Sequence, residues 1–80
     1  MYRIAIVRKG QPADRRTAST GRELRDIAWE TLHAEGHPVT DYGTFTDMVA
    51  DARRMADTDG FAALEFGAAA ITIRPASAAA

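Results

Sequence analysis

RKGQPADRRTAST, residues 8 to 20, lies between an evident strand and an evident helix, a connection of thirteen residues, four of them cationic, in a chain of 80. Gly10 and Pro12 end the preceding strand, and Arg8, Lys9, Arg15 and Arg16 make the segment strongly polar. It therefore reads as a long surface loop. Such a loop is either a functional arm or tolerated slack, because each doubling of loop length costs only about 0.6 kcal/mol.

Before it, YRIAIV (residues 2 to 7) has Ile4 and Ile6 on one face, Ala5 and Val7 on the other. Apolar residues on both faces predict a central strand, or one covered on both sides. After it, Thr20 and Glu23 have capping-box spacing. Leu24, Ile27, Ala28, Thr31 and Leu32 then share one helical face, and Gly36 with Pro38 closes a helix over about residues 21 to 35. A second helix is predicted from Thr44 to about Asp57. Phe45, Met48, Val49, Ala52, Met55 and Ala56 form its apolar arc, with Asp47, Asp51 and Arg54 opposite.

FAALEF and AAITIR, flanking Gly67-Ala68, read as a hairpin with glycine at the first turn position. Pairing Phe66 with Ala69, Leu64 with Ile71 and Ala62 with Ile73 puts all six on one face. Phe61, Ala63, Glu65, Ala70, Thr72 and Arg74 take the other. The expected order is β-α-α-β-β: a two-layer α+β sandwich, with both helices on one face of a three-stranded sheet. Residues 1–75 form a single domain and residues 76–80 a disordered tail, since 80 residues bury only one core.

The 46% hydrophobic and 26% charged composition is that of a globular chain. Without cysteine there is neither a disulfide framework nor a thiolate metal site, and the expected location is cytoplasmic. No apolar run is long enough to span a membrane, and MYRIAIVRKG has no charged region ahead of its apolar stretch, so neither a membrane partner nor an export signal is expected. Nine arginines to a single lysine read as the coding bias of a GC-rich bacterial or phage genome.

The net charge of −1 conceals an asymmetry. Residues 1 to 25 carry seven cations and two acids, residues 26 to 80 nine acids and three arginines. The molecule is expected to be dipolar, with the 8–20 segment at its positive end.

Catalytic signatures are weak. His33 and His37 have i, i+4 spacing, but Gly36 and Pro38 interrupt the helix that would align them, and no third ligand is evident. DTDG (residues 57 to 60) begins like a calcium loop but runs into a strand, so a helix exit is the simpler reading. Ser19 and Ser77 lack a neighbouring base, and Asp47 and Asp51 lie on a solvated helix face where burial cannot tune them. The 8–20 segment precedes a helix N-terminus yet lacks the glycines and terminal lysine of a nucleotide-cradling loop. The expectation is a protein that is not an enzyme and uses no cofactor.

What remains is binding. Arg8, Lys9, Arg15, Arg16, Arg22 and Arg25 beside Trp29 compose a contact surface for a protein partner with an acidic surface, acting by occlusion or recruitment. The alternative is nucleic-acid binding through residues 8–25 as a basic arm, extended by Arg3. Two features oppose that alternative: the net negative charge, and the lack of aromatic residues among the arginines apart from Tyr2. A homodimer is also open to this chain, through the outer alanines Ala63 and Ala70.

Overall fold

The computed structural model describes residues 1–36 and 42–76. Six elements follow in order: β1 (Tyr2–Arg8), β2 (Asp14–Ala18), α1 (Gly21–Ala34), α2 (Tyr42–Asp59), β3 (Ala62–Phe66) and β4 (Ala69–Pro75). The four strands form one antiparallel sheet in the order β2-β1-β4-β3. The class is α+β, as expected. The three-stranded β-α-α-β-β arrangement is corrected to four strands in the order β-β-α-α-β-β, because the segment read as a loop contains β2.

β2 escaped notice for a physical reason. Its sequence, DRRTA, buries only Ala18. Arg16 occupies a position on the helix side opposite Ile4, where an apolar residue would have signalled a strand. Ion pairs to Asp14 and Glu30 satisfy it there instead. The true connection is the short turn between Arg8 and Asp14, with Gly10 at φ 77°, a left-handed value that glycine adopts without the steric penalty of a Cβ.

The hairpin register is as read from the sequence: Ala62 opposes Ile73, Leu64 opposes Ile71 and Phe66 opposes Ala69. Gly67 supplies the left-handed turn position at φ 58°. α1 opens on Thr20, whose hydroxyl accepts from the Glu23 amide at 3.2 Å while the Glu23 carboxylate accepts from the Ser19 amide. α2 extends two residues beyond the expected helix at each end, and the Gly60 amide bonds back to the Ala56 carbonyl, so DTDG is a helix exit.

Both helices cover the same face of the sheet, α1 over β2 and α2 over β3 and β4. Ile4 and Ile6 of β1, Ile71 and Ile73 of β4, Leu24 of α1 and Val49 of α2 meet in the core between the layers. β1 is central, as its two apolar faces implied, but it is covered on one side only: Val7 is exposed on the other. No described helix is long and apolar enough to cross a membrane. Ala76 bonds through its amide to the Met1 carbonyl, and residues 77–80, the rest of the expected tail, lie outside the described residues.

Candidate functional site

Strand alternation builds the uncovered face of the sheet from short rows. Thr17, Arg3 and Arg74 stand side by side across β2, β1 and β4. Arg15, Ala5, Thr72 and Ala63 form the next row, and Val7, Ala70 and Glu65 the third. At one corner the exposed ring of Phe61 lies beneath the Arg74 guanidinium, whose carbon is 5.3 Å from the ring centroid. Arg3, Arg15, Thr17, Thr72 and Arg74, together with ion-paired Arg16, are among the residues lining a shallow depression of about 640 Å³.

The acids are segregated by layer, whereas cations stand in both. On the open face the acid is Glu65, in the third row, at the far end from Arg3 and Arg74. The other described acids lie on the helices, follow α1, or extend from the covered side of β2. Among the described residues no ion pair engages Arg3, Arg15 or Arg74. Arg3 and Arg74 are moreover direct cross-strand partners. Like charges so placed repel.

The seven residues expected to form one contact surface are divided between the two layers. Arg15 reaches the open face. Its neighbour Arg16 turns to the helix side, where Asp14 at 3.1 Å and Glu30 at 3.3 Å accept from it, the Asp14 hydrogen bond foremost in raising its pKa. Arg8 donates to Glu35 at 2.8 Å. Lys9 sits in the β1–β2 turn, and Arg22 and Arg25 are on α1.

Trp29 packs edge-on against Tyr42 and Phe45, with ring centroids 5.0 Å away in each case, and the tilted His33 ring lies 4.5 Å from it. The indole is therefore a rim residue joining the two helices. The arginines of the open face are not beside it, because it lies in the opposite layer.

Arg74, Phe61, Thr17 and Thr72 were missing from the sequence-based site. For Arg74, Phe61 and Thr72 a signal existed, since the hairpin register already placed them on the outward face. The pairing of β4 with β1 was not visible, and that pairing brings Arg74 beside Arg3. No cluster of three His, Asp or Glu side chains able to hold a metal occurs among the described residues, and His37 lies outside them.

Comparison with protein-family models, with curated proteins and with solved structures finds no match to this chain.

Proposed function

We propose that this protein is a non-catalytic module that binds single-stranded nucleic acid on the open face of its sheet. The carrying observation is the gathering of Arg3, Arg15 and Arg74 on a face where, among the described residues, no carboxylate forms an ion pair with them. Three guanidinium groups around a shallow depression suit the phosphates of an extended strand, and the Thr17 and Thr72 hydroxyls add neutral polar contacts. Phe61 under Arg74 offers a π surface on which a base stacks.

Both features that opposed nucleic acid in the sequence lose their force. The acids that make the net charge negative lie mostly in the other layer, directed away from the open face. The missing aromatic residue comes from Phe61, distant in sequence and adjacent in space. The acidic-protein reading would use a different surface, α1, where half-buried Trp29 packs on Tyr42 and Phe45 and shares the helix with Arg22 and Arg25.

Fluorescence anisotropy with labelled single-stranded DNA and RNA dodecamers, and the corresponding duplex, tests this. Single strands should bind more tightly than duplex. With three phosphates engaged, the slope of log K against log salt should be about −2. Absence of oligonucleotide binding at low salt, with capture of an acidic protein in its place, overturns the reading.

A further inference from the structure

We propose that two copies of this chain pair through the outer edge of β3, an inference that does not rest on what the open face binds. The sheet ends in β2 on one side and β3 on the other, and the two edges are treated differently. β2 carries Asp14, Arg15 and Arg16, the charged residues with which proteins blunt an edge against further pairing. β3, AALEF, has one charge, no lysine and no proline. An edge of that composition is a template for another strand.

α2 lies over β3 and β4. One of its flanks faces α1: Tyr42 meets Trp29 there, and Arg53 donates to the Tyr2 hydroxyl while crossing Gly21. Helical spacing puts Met48 and Met55 on the opposite flank, above the β3 edge, with 40% and 49% of their surfaces exposed. Phe61, 43% exposed, enters the same strand. Among the described residues, Met48 and Met55 thus border this unprotected edge on the helix side, and Phe61 leads into it on the open face.

The occupant that fits is a second copy. Antiparallel pairing of β3 with itself about Leu64 sets Leu64 opposite its own counterpart and keeps that side chain on the helix-covered face. Ala63 then faces Glu65 of the second copy, so no like charges are opposed. The same two-fold axis lays α2 antiparallel to its copy, with Met48 of one beside Met55 of the other, the self-complementary contact of an isologous dimer. The product is a continuous antiparallel sheet with both cationic faces on one side.

Sedimentation velocity across a wide concentration range should show a species of twice 8.7 kDa. Ala63→Glu places two carboxylates opposite two others and should weaken the dimer about fivefold. Ala63→Lys places an ammonium group opposite the same Glu65 and should tighten it. Met48→Lys with Met55→Lys should give monomers with unchanged helical circular dichroism, and if that variant does not fold, the opposite signs of the two Ala63 variants decide. A wild-type chain monomeric at every concentration overturns the proposal, as does a dimer indifferent to the charge at residue 63. Oligonucleotide binding by the monomeric Met48→Lys, Met55→Lys variant, altered only in the helix layer, keeps failure of the dimer distinct from failure of the proposed function.

Discussion

Arg3 stands directly opposite Arg74 across the β1–β4 ladder, two guanidinium groups on one solvent-exposed face with, among the described residues, no carboxylate hydrogen-bonded to either. A cross-strand pair of like charge costs about 0.2–1 kcal/mol relative to a neutral pair. The arrangement is unfavourable in the free protein, and the proposed binding of a phosphate between the two groups would relieve it.

Removing one member should therefore separate stability from binding. Arg3→Thr, which keeps a side chain suited to a strand, should raise Tm by about 2 °C at low ionic strength, from a gain of a few tenths of a kcal/mol. The same substitution should weaken single-strand binding and reduce the salt slope by about 0.7, one phosphate contact fewer. Thermal melts and anisotropy on the same samples check both. A variant that loses stability and binding together would mark Arg3 as structural.

Glu35 links three segments at the opposite end of the sheet. Its carboxylate accepts from Arg8 Nε at 2.8 Å and from the Ala68 amide at 3.2 Å, and a Cβ added at Gly67 would come within 3.3 Å of its own Cβ. Thus the end of α1, the end of β1 and the β3–β4 turn meet on one side chain. The hydrogen bond from Arg8 leads the effects that hold its pKa below the ordinary carboxylate value. A depressed folded-state pKa stabilises the fold above the unfolded pKa, and that contribution disappears as pH falls through the folded one. Glu35→Gln should lower Tm at neutral pH, with the difference from wild type closing in acid. Melts at a series of pH values check this, and a difference independent of pH would place the effect in packing.

How much of this could be read in advance follows from where each residue's partner lies. The cap at Thr20 and Glu23 and the hairpin about Gly67 are local, and their spacing alone specified them. The helix faces were legible in part: apolar periodicity marks Phe45, Val49, Ala52 and Ala56 as core, but Met48 and Met55, expected on the same arc, lie on its solvent-exposed flank. β2 was not legible, since its one helix-facing arginine is stabilised by Glu30, which lies on an element formed later in the chain. A structureless connection of a dozen residues in so small a domain was itself a warning, because such loops are uncommon. The candidate site depended on that strand. Arg15 and Arg16, adjacent in sequence, alternate to opposite faces once β2 exists, and the supposed single pole becomes one open-face cation and one ion-paired cation.

Tyr2 ties β1 to the C-terminal half of α2. Its hydroxyl donates to the Asp57 carboxylate at 2.8 Å and accepts from Arg53 Nε at 3.0 Å, and the Arg53 side chain has room to reach it because residue 21 carries no Cβ. Tyr2→Phe keeps the buried ring and removes both hydrogen bonds. It should lower stability by about 1 kcal/mol, or Tm by about 4–8 °C, leaving oligonucleotide affinity unchanged. Gly21→Ala should give a smaller loss of the same kind by displacing Arg53. Chemical denaturation of the two single variants and the double variant checks this: less than additive losses show that both act on one network.

Trp29 distinguishes the proposed site from a surface built on α1. Its ring is held between Tyr42, Phe45 and His33 in the helix layer, while the depression lined by Arg3, Arg15 and Arg74 opens on the other side of the sheet. Trp29→Ala removes edge-on aromatic contacts and part of the helix–helix packing, and because the indole is only half-buried its loss should cost about 2 kcal/mol, below the range for a fully buried ring. The folded fraction of that variant should bind single strands with wild-type affinity. In the wild-type protein, saturation with an oligonucleotide should leave the wavelength and intensity of Trp29 emission unchanged, since the indole neither touches the ligand nor changes its solvent exposure. Strong quenching of that emission, paired with lost affinity in Trp29→Ala, would transfer the contact surface from the sheet to α1.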